Sequence, residues 1–390
     1  MQPQKSASHK LLKSINQQKV LHLIFANGPI SRVELTHMTG LSQQTVTNIV
    51  SRLIQDDLVV EGETLPLENG SGRKRVSLAV NSSKFYAIGI ELAGKYIRGS
   101  VCNFRYEHLG TAERRTKKYE TPDHLLQLLV EVIGELLQQV PDVGKTKGIG
   151  ISVQGLVDSR QGVLLRTPGL GFQRIPLKQQ LEQQFELPVY IENDANLLAV
   201  NQNMSGSLSK SSSNITLKFD YGIGGAIVAD NQLISGSNFV AGEFGHIKGF
   251  TGPDAYPCHC GGTGCLTTLA STSGLAKAAG CTLDAFAEGV RSGDEDMNRL
   301  YDKIVGAVSI AISNVVTFLN PDHVLLTGSV IAAFEERIVA DLTKKIYDNI
   351  PQTSRGLHIL HLSQMPDETE LAAGLVLKRV FEIPLDTLSL

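Results

Sequence analysis

Between Ile30 and Leu53 the chain reads "ISRVELTHMTGLSQQTVTNIVSRL", a stretch that leaves the backbone little freedom. Ser31 stands three positions before Glu34, the spacing of a capping box, so a helix begins at Arg32 and stops near Thr39-Gly40. After a tight turn through Gly40-Leu41, Ser42 is placed to N-cap another helix. The apolar residues of that helix, Val46, Ile49, Val50 and Leu53, recur at i, i+3, i+4 and i+7, so one face is buried. Upstream, Val20, Leu21, Leu23 and Ile24 predict a helix from Gln17 to Ala26, closed by Asn27-Gly28 before Pro29. The short middle helix and its turn are what a helix-turn-helix requires.

The face opposite the apolar stripe carries Gln43, Gln44, Thr45, Thr47, Asn48, Ser51 and Arg52, short or amide-bearing groups suited to base edges and phosphates in a major groove. Next, "LVVEGE" and "RVSLAV" flank a Gly/Asn-rich turn and predict a hairpin, a wing whose tip sets Arg73, Lys74 and Arg75 beside glycines that let the backbone approach DNA. Residues 1–80 hold nine Lys and Arg against six Asp and Glu, whereas the whole chain carries a net charge of -3. The basic end therefore points to an anionic partner. A small helical bundle with a solvated polar face shares the helix periodicity. Helix spacing, wing and basic tip together favour a winged helix-turn-helix that meets operator DNA through Gln43, Gln44, Thr45, Thr47, Asn48, Arg52, Arg73 and Lys74.

A chain of 390 residues exceeds one ordinary core and implies two or three domains. "MQPQKSASHK" has no apolar core of a secretory signal, which predicts a cytoplasmic protein. The tract Ile304 to Leu319 is interrupted by Ser309, Ser313, Asn314 and Thr317, so it reads as a buried helix and not as a membrane insertion. Five cysteines, an odd number in a reducing compartment, argue against a disulfide framework. Three of them nevertheless fall within eight positions, in "CHCGGTGC".

Beyond Phe85 the pattern is α/β. "FYAIGIELAGKYIRGSVCNF" and "EHLGTAERRTKKYE" are β-rich, an amphipathic helix from about Pro122 to Gln139 precedes the strand "KGIGISV", and "ELPVYIENDANLLAV" reads as strand, loop, helix. A second β-rich start, "SNITLKFDYGIGGAIVADNQLIS", follows the first by about 130 residues and predicts two lobes of similar build with a cleft between them.

The segments "PISRVELTHMTGLSQQTVTNIVSRLI", "SGRKRVSL", "VQGLVD", "IENDANLLA", "AGEFGHI" and "CHCGGTGC" occur in the order seen in the ROK family (repressor, open reading frame, kinase). With its N-terminal module the chain resembles the regulator branch of that family, similar to the xylose and N-acetylglucosamine repressors. The resemblance implies a winged helix-turn-helix over residues 1–80, followed by a two-lobed, actin-like (ribonuclease-H-like) sugar-kinase body. The first lobe is expected at 81–205, completed by the C-terminal helix 369–382, and the second, with the zinc loop, at 206–368.

The family pattern also implies site residues. His246, Cys258, Cys260 and Cys265 match its zinc motif, and their chemistry agrees, because three thiolates and an imidazole form a closed tetrahedral set. One structural Zn2+ per chain is expected, against the alternative of three buried free thiols. Glycines 261, 262 and 264 let the chain fold back between the ligands. Asn193, Asp194, Glu243 and His246 match sugar-binding positions, and Gly155 and Thr167 fall where family members also approach the sugar. In the family's kinases the residue matching Asp194 is the general base. An ordinary helix N-cap is the alternative role for Asp194.

Departures from the pattern point away from catalysis. Where the kinases hold ATP phosphates with Asp-x-Gly-Gly-Thr, this chain has Glu91, Leu92, Ala93, Gly94 and Lys95. Gly222, Gly224 and Gly225 survive in the second phosphate loop, but Asp220 and Tyr221 precede them and an acidic group there repels a triphosphate. Thr267 stands where relatives have a sugar-binding Glu, and Gly169 where they have Asn. Phosphoryl transfer depends on positioning and charge neutralisation, so the body reads as a sensor with a vestigial base, Asp194, and no catalytic residue. The expected protein is a repressor of carbohydrate genes that answers a sugar or sugar phosphate. It is expected to pair as a homodimer or homotetramer, since one recognition helix reads only a half-site. An active sugar kinase with a fused DNA-binding domain, and a regulator controlled by a protein partner, are the alternatives.

Overall fold

The structure, a computed structural model, describes residues 3–65, 75–167 and 170–379. Its first helix, Pro3–Asn27, begins far upstream of the Gln17 start expected from the apolar pattern. Between Gln4 and Asn27 there is no glycine or proline to stop it, and Pro3 occupies the first turn, where a missing N–H costs nothing. The capping box forms: Ser31 Oγ accepts from the Glu34 N–H at 3.3 Å, and the Ser31 N–H donates to Glu34 Oε2 at 2.8 Å. The Arg32–Thr39 helix ends on Gly40, whose φ of 69° only glycine adopts without strain. Ser42 caps the Gln43–Gln55 helix by accepting from the Thr45 N–H, and Val46, Ile49, Val50 and Leu53 are buried. Strands Ile30–Ser31, Arg75–Val80 and Val59–Leu65 pair in that order, all antiparallel, and complete a winged helix-turn-helix.

The chain forms two compact units. One holds the winged domain and the first lobe, up to Gln154, with Ser159–Ile191 and the segment from Glu368 onward. Its sheet has the order Val189–Asn193, Thr146–Val153, Tyr86–Leu92, Tyr96–Asn103, His108–Arg115. Tyr86–Leu92 runs antiparallel to Tyr96–Asn103 and parallel to Thr146–Val153. The winged domain shares a buried apolar cluster with this lobe. Phe25, near the end of the first helix, places its ring 5.9 Å from Phe104 and 5.3 Å, edge-on, from Tyr106.

The second unit comprises Gly155–Asp158 and Glu192–Asp367. Its sheet repeats the first: two antiparallel strands, Asn214–Phe219 and Ile223–Ala229, lead to the short edge strand Gln232–Leu233. On the other side His323–Thr327 and His358–His361 are added in parallel. Each sheet therefore has the order third, second, first, fourth, fifth in the sequence of its own strands. The Asp194–Ser205 helix packs on this second sheet through Ala199, against Ala226 and Val228. The division between lobes thus falls before that helix and not after residue 205. The Glu295–Leu319 helix is the one, among the described residues, long and apolar enough to cross a membrane, yet Ile304, Val305, Val308, Ile312 and Val316 lie in the core of this unit.

The C-terminal helix, Glu368–Lys378, returns to the first sheet and lies against its Tyr86–Leu92 and Thr146–Val153 strands. The contact is backbone on backbone. A β-carbon on Gly150 would stand 1.8 Å from the Ala372 carbonyl oxygen, and one on Gly89 would stand 1.8 Å from that of Thr369. Gly150→Ala is therefore expected to destabilise the protein by about 1–3 kcal/mol through overpacking. Thermal denaturation checks this, and an unchanged melting temperature would mean that the helix does not sit on the sheet in this way.

Candidate functional site

The "AGEFGHI" stretch is held by its glycines. Gly242 has a φ of 88° and a β-carbon there would meet the Gly225 carbonyl oxygen at 2.3 Å, while one on Gly245 would meet that of Ile223 at 2.4 Å. The turn therefore lies flat on the Ile223–Ala229 strand, and Glu243 and His246 keep fixed positions at its two ends. His246 Nε2 is 3.5 Å from Glu243 Oε2, and His246 Nδ1 is 3.6 Å from Cys258 Sγ. Burial, and then the charge of Asp194, push the Glu243 carboxyl above its ordinary range.

The ligand atoms of His246, Cys258, Cys260 and Cys265 all lie within 4.8 Å of one another. Zinc–sulfur and zinc–nitrogen bonds of about 2.3 and 2.0 Å in a tetrahedron require edges of about 3.8 Å between sulfurs and about 3.5 Å from sulfur to nitrogen. Cys260 and Cys265 sulfurs are 3.7 Å apart, and the Cys258 sulfur to His246 nitrogen separation is 3.6 Å, so the donor set fits the ion. The loop is closed by the Cys258 N–H donating to the Gly262 carbonyl at 2.8 Å and by a bridge between Lys248 and Cys265. Lys248, which the sequence reading missed, points its ammonium at Cys265 Sγ from 2.9 Å. The signal was present: a lysine two residues after His246, in the stretch that leads to the three cysteines.

Asp194 is not the N-cap of its helix. Asn193 takes that place, its Oδ1 accepting from the N–H groups of Ala195 and Asn196 at 2.9 and 3.2 Å, while its Nδ2 donates to the Gly155 carbonyl at 2.9 Å. The Asp194 carboxylate instead meets Lys218, whose Nζ donates to Oδ2 at 2.9 Å. Gly155, Asn193 and Glu243 line one pocket together with Glu192, Asn196 and Phe239. Asp194, paired with Lys218, and His246, 3.5 Å from Glu243, are not among its lining residues. Glu192 is a further residue that sequence reasoning did not single out; it is buried and accepts from the Asn193 N–H and the Asn196 amide. Thr167 belongs to the other unit and is buried there, its hydroxyl without a hydrogen-bond partner among the described residues. Thr267, where relatives have Glu, is also buried.

At both phosphate positions of the family pattern the chain's own groups are engaged. Glu91 is buried, accepting from Tyr96 Oη at 2.6 Å and from both Arg98 Nη2 and Nε at 2.8 and 3.2 Å. In the second loop, Asp220 Oδ1 accepts from the Ser329 N–H at 2.7 Å and from its hydroxyl at 2.6 Å. Ser329 opens the Ser329–Asn349 helix, so a carboxylate sits on the helix N-terminus, a place equally suited to phosphate.

On the Gln43–Gln55 helix, Gln43, Gln44 and Asn48 are exposed, and Gln44 Nε2 donates to Asn48 Oδ1 at 3.1 Å. Thr45, Thr47 and Arg52 are half-buried. The Thr45 hydroxyl pairs with that of Ser42, Thr47 Oγ1 donates to the Gln43 carbonyl, and Arg52 Nε folds back to that of Asn48. Arg73 and Lys74, expected at the wing tip, lie outside the described residues.

A winged helix-turn-helix joined to two sheets of one repeated topology defines a DNA-binding protein with a sugar-kinase-like body. Residues 13–60 match a winged helix-turn-helix DNA-binding profile, and residues 87–369 match the ROK family. The chain belongs to the ROK family. It is 36% identical over 269 residues to the xylose repressor of Caldicellulosiruptor bescii, a match spanning 69% of this chain and 66% of that one. It is 30% identical over 368 residues to a putative xylose repressor of Caldicellulosiruptor sp. strain Rt8B.4, spanning 87% and 89%. Its fold is similar to the crystal structure of a ROK family transcriptional regulator described as a homologue of the Escherichia coli MLC protein. The TM-score is 0.77 at 23% identity, over 95% of this chain and 97% of that one.

Two measurements check these assignments. Protein purified without chelator is expected to hold one zinc per chain by metal analysis, and Cys265→Ser to lose it together with several degrees of thermal stability; full-length, well-folded protein free of zinc would remove the site. Gln44→Ala and Asn48→Ala are expected to relax sequence preference in DNA binding by about 1–3 kcal/mol at the contacted base pair. An unaltered footprint and affinity would mean that another surface enters the groove.

Proposed function

We propose that the protein is a sugar-responsive transcriptional repressor of carbohydrate-uptake or catabolic genes, and that its kinase-like body senses without transferring phosphate. Two observations carry this reading: Gly155, Asn193 and Glu243 line one pocket, while Ala93 and Lys95 stand in place of a glycine and the hydroxyl of the first phosphate turn and Asp220 of the second loop is held by the Ser329 helix. The first change removes a glycine whose backbone must approach phosphate and the second puts negative charge beside it, which together oppose phosphoryl transfer. The xylose repressors to which the chain is similar support the same reading and make D-xylose the first sugar to test.

In this reading Asp194 and Glu243 accept from sugar hydroxyls, with Asn193 and Gly155 shaping the pocket wall and His246 orienting Glu243 from the zinc loop. The zinc is structural, because its four protein ligands leave no position for water. Gln43, Gln44, Thr45, Thr47, Asn48 and Arg52, with Arg73 and Lys74 of the wing, meet operator DNA in the cytoplasm. The working form is a dimer or tetramer, which supplies recognition helices in pairs for the two halves of an operator.

Asp194→Asn and Glu243→Ala are expected to bind operator as tightly as wild type without sugar, and to lose sugar affinity by about 10- to 100-fold through the loss of a charged acceptor. Operator binding titrated with sugar by fluorescence anisotropy reads both effects. A normal response in both variants would refute the pocket assignment. Sugar-dependent ATP turnover by wild type, measured in a coupled assay, would replace the sensor reading with that of a kinase carrying a DNA-binding domain.

A further inference from the structure

Lys218, which no motif announces, is the buried partner of Asp194. It lies on the first strand of the second sheet, Asn214–Phe219, every residue of which is buried. Its side chain is 8% exposed and that of Asp194 14%, so the pair they form at 2.9 Å is largely withdrawn from water. Its Nζ is also 3.9 Å from Asp220 Oδ2, the carboxylate that caps the Ser329 helix. One buried ammonium thus bridges the sugar position and the vestigial phosphate position.

The surroundings of Asp194 make such a cation necessary. Glu192 precedes it on the adjoining strand, Asp220 follows directly after the strand of Lys218, and Glu243, with His246 behind it, comes from the turn laid on Ile223–Ala229. Carboxylates so gathered repel one another, and the charge of Asp194 is felt at Glu243. Without an ammonium, the Asp194 side chain has reason to turn away toward water. With it, Oδ2 is pinned, and Oδ1 accepts no hydrogen bond from the described residues.

We propose that Lys218 is a positioning residue for the effector: by holding Asp194 Oδ2 it presents Oδ1 as the acceptor of one effector hydroxyl. The proposal rests on the reading of this pocket as the sugar site and goes beyond it in naming what makes Asp194 a fixed reader. It also accounts for a base position that survives without phosphate cradles. A carboxylate whose charge is shared with a lysine ammonium is a good partner for a hydroxyl hydrogen and a poor taker of it.

The test is a double-mutant cycle on the full chain with Lys218→Met, Asp194→Asn and both together, read by melting temperature and by calorimetric affinity for D-xylose, D-glucose and N-acetyl-D-glucosamine. Lys218→Met leaves a buried charge without its partner and is expected to lower the melting temperature by about 5 °C or more. Adding Asp194→Asn is expected to restore most of that loss, which keeps the affinity cycle measurable in a folded protein. Lys218→Met is also expected to weaken the sugar that wild type binds by about tenfold or more, because the charged acceptor is displaced. The double variant is then expected to bind no more weakly than Asp194→Asn alone, since both changes remove one contact. A Lys218→Met protein that binds sugar as wild type does, or losses that multiply in the double variant, would overturn the positioning role. Wild type that binds none of the three sugars is a different result and defeats the reading of the pocket itself, with the positioning role falling alongside it.

Discussion

The close approach of the C-terminal helix to the first sheet is the contact on which the larger unit depends. Gly89 and Gly150 carry no side chain, so the carbonyls of Thr369 and Ala372 descend to the strands, and a segment more than two hundred residues away in sequence becomes part of the same core. Two buried polar links accompany it: Ser100 with Thr369 at 2.7 Å, and Ser152 donating to Glu368 at 2.8 Å. Ala373, Val376 and Leu377 of that helix join the apolar cluster that contains Val20, Ile24 and Leu53 of the winged domain. The helix, the sheet and the DNA-binding domain thus share one core within one compact unit.

Within the second unit, electrostatics do the corresponding work. Asp194 at the start of its helix and Asp220 just past the Asn214–Phe219 strand share Lys218 as the cation that touches both, and Glu192 and Glu243 line the pocket beside them. A neutral polyol suits such a place, since hydroxyls donate to carboxylates without adding charge. An anionic ligand would have to overcome the surplus of carboxylates. The Cys3His cluster adjoins the pocket: His246 turns Nδ1 to Cys258 and Nε2 to Glu243, so one imidazole links a donor set that could hold a metal ion to a pocket wall.

At the two positions where the family's kinases hold phosphate, the carboxylates are engaged within the chain: Glu91 is tied by residues of the next strand, and Asp220 by the first turn of a helix.

Much of this was legible in the sequence, because it rests on contacts between near neighbours. Ser31 and Glu34, Ser42 and Thr45, and the apolar stripe of Val46 to Leu53 write the helix-turn-helix in spacings of three and four residues. The metal ligands are legible because three of the four lie within eight positions. The first helix was read too short because its early turns lack an apolar stripe, and periodicity sees only buried faces. Which side chain caps the helix and which meets a buried lysine could not be read in "ND", since either residue suits a cap and the choice depends on a strand more than twenty residues on. Lys218 itself looked like an ordinary strand residue. Its meaning comes from its pairing with Asp194 at the start of the helix packed on that sheet, and long-range pairing of that kind is decided by tertiary structure alone, because burial converts a weak charge contact into one that fixes a side chain.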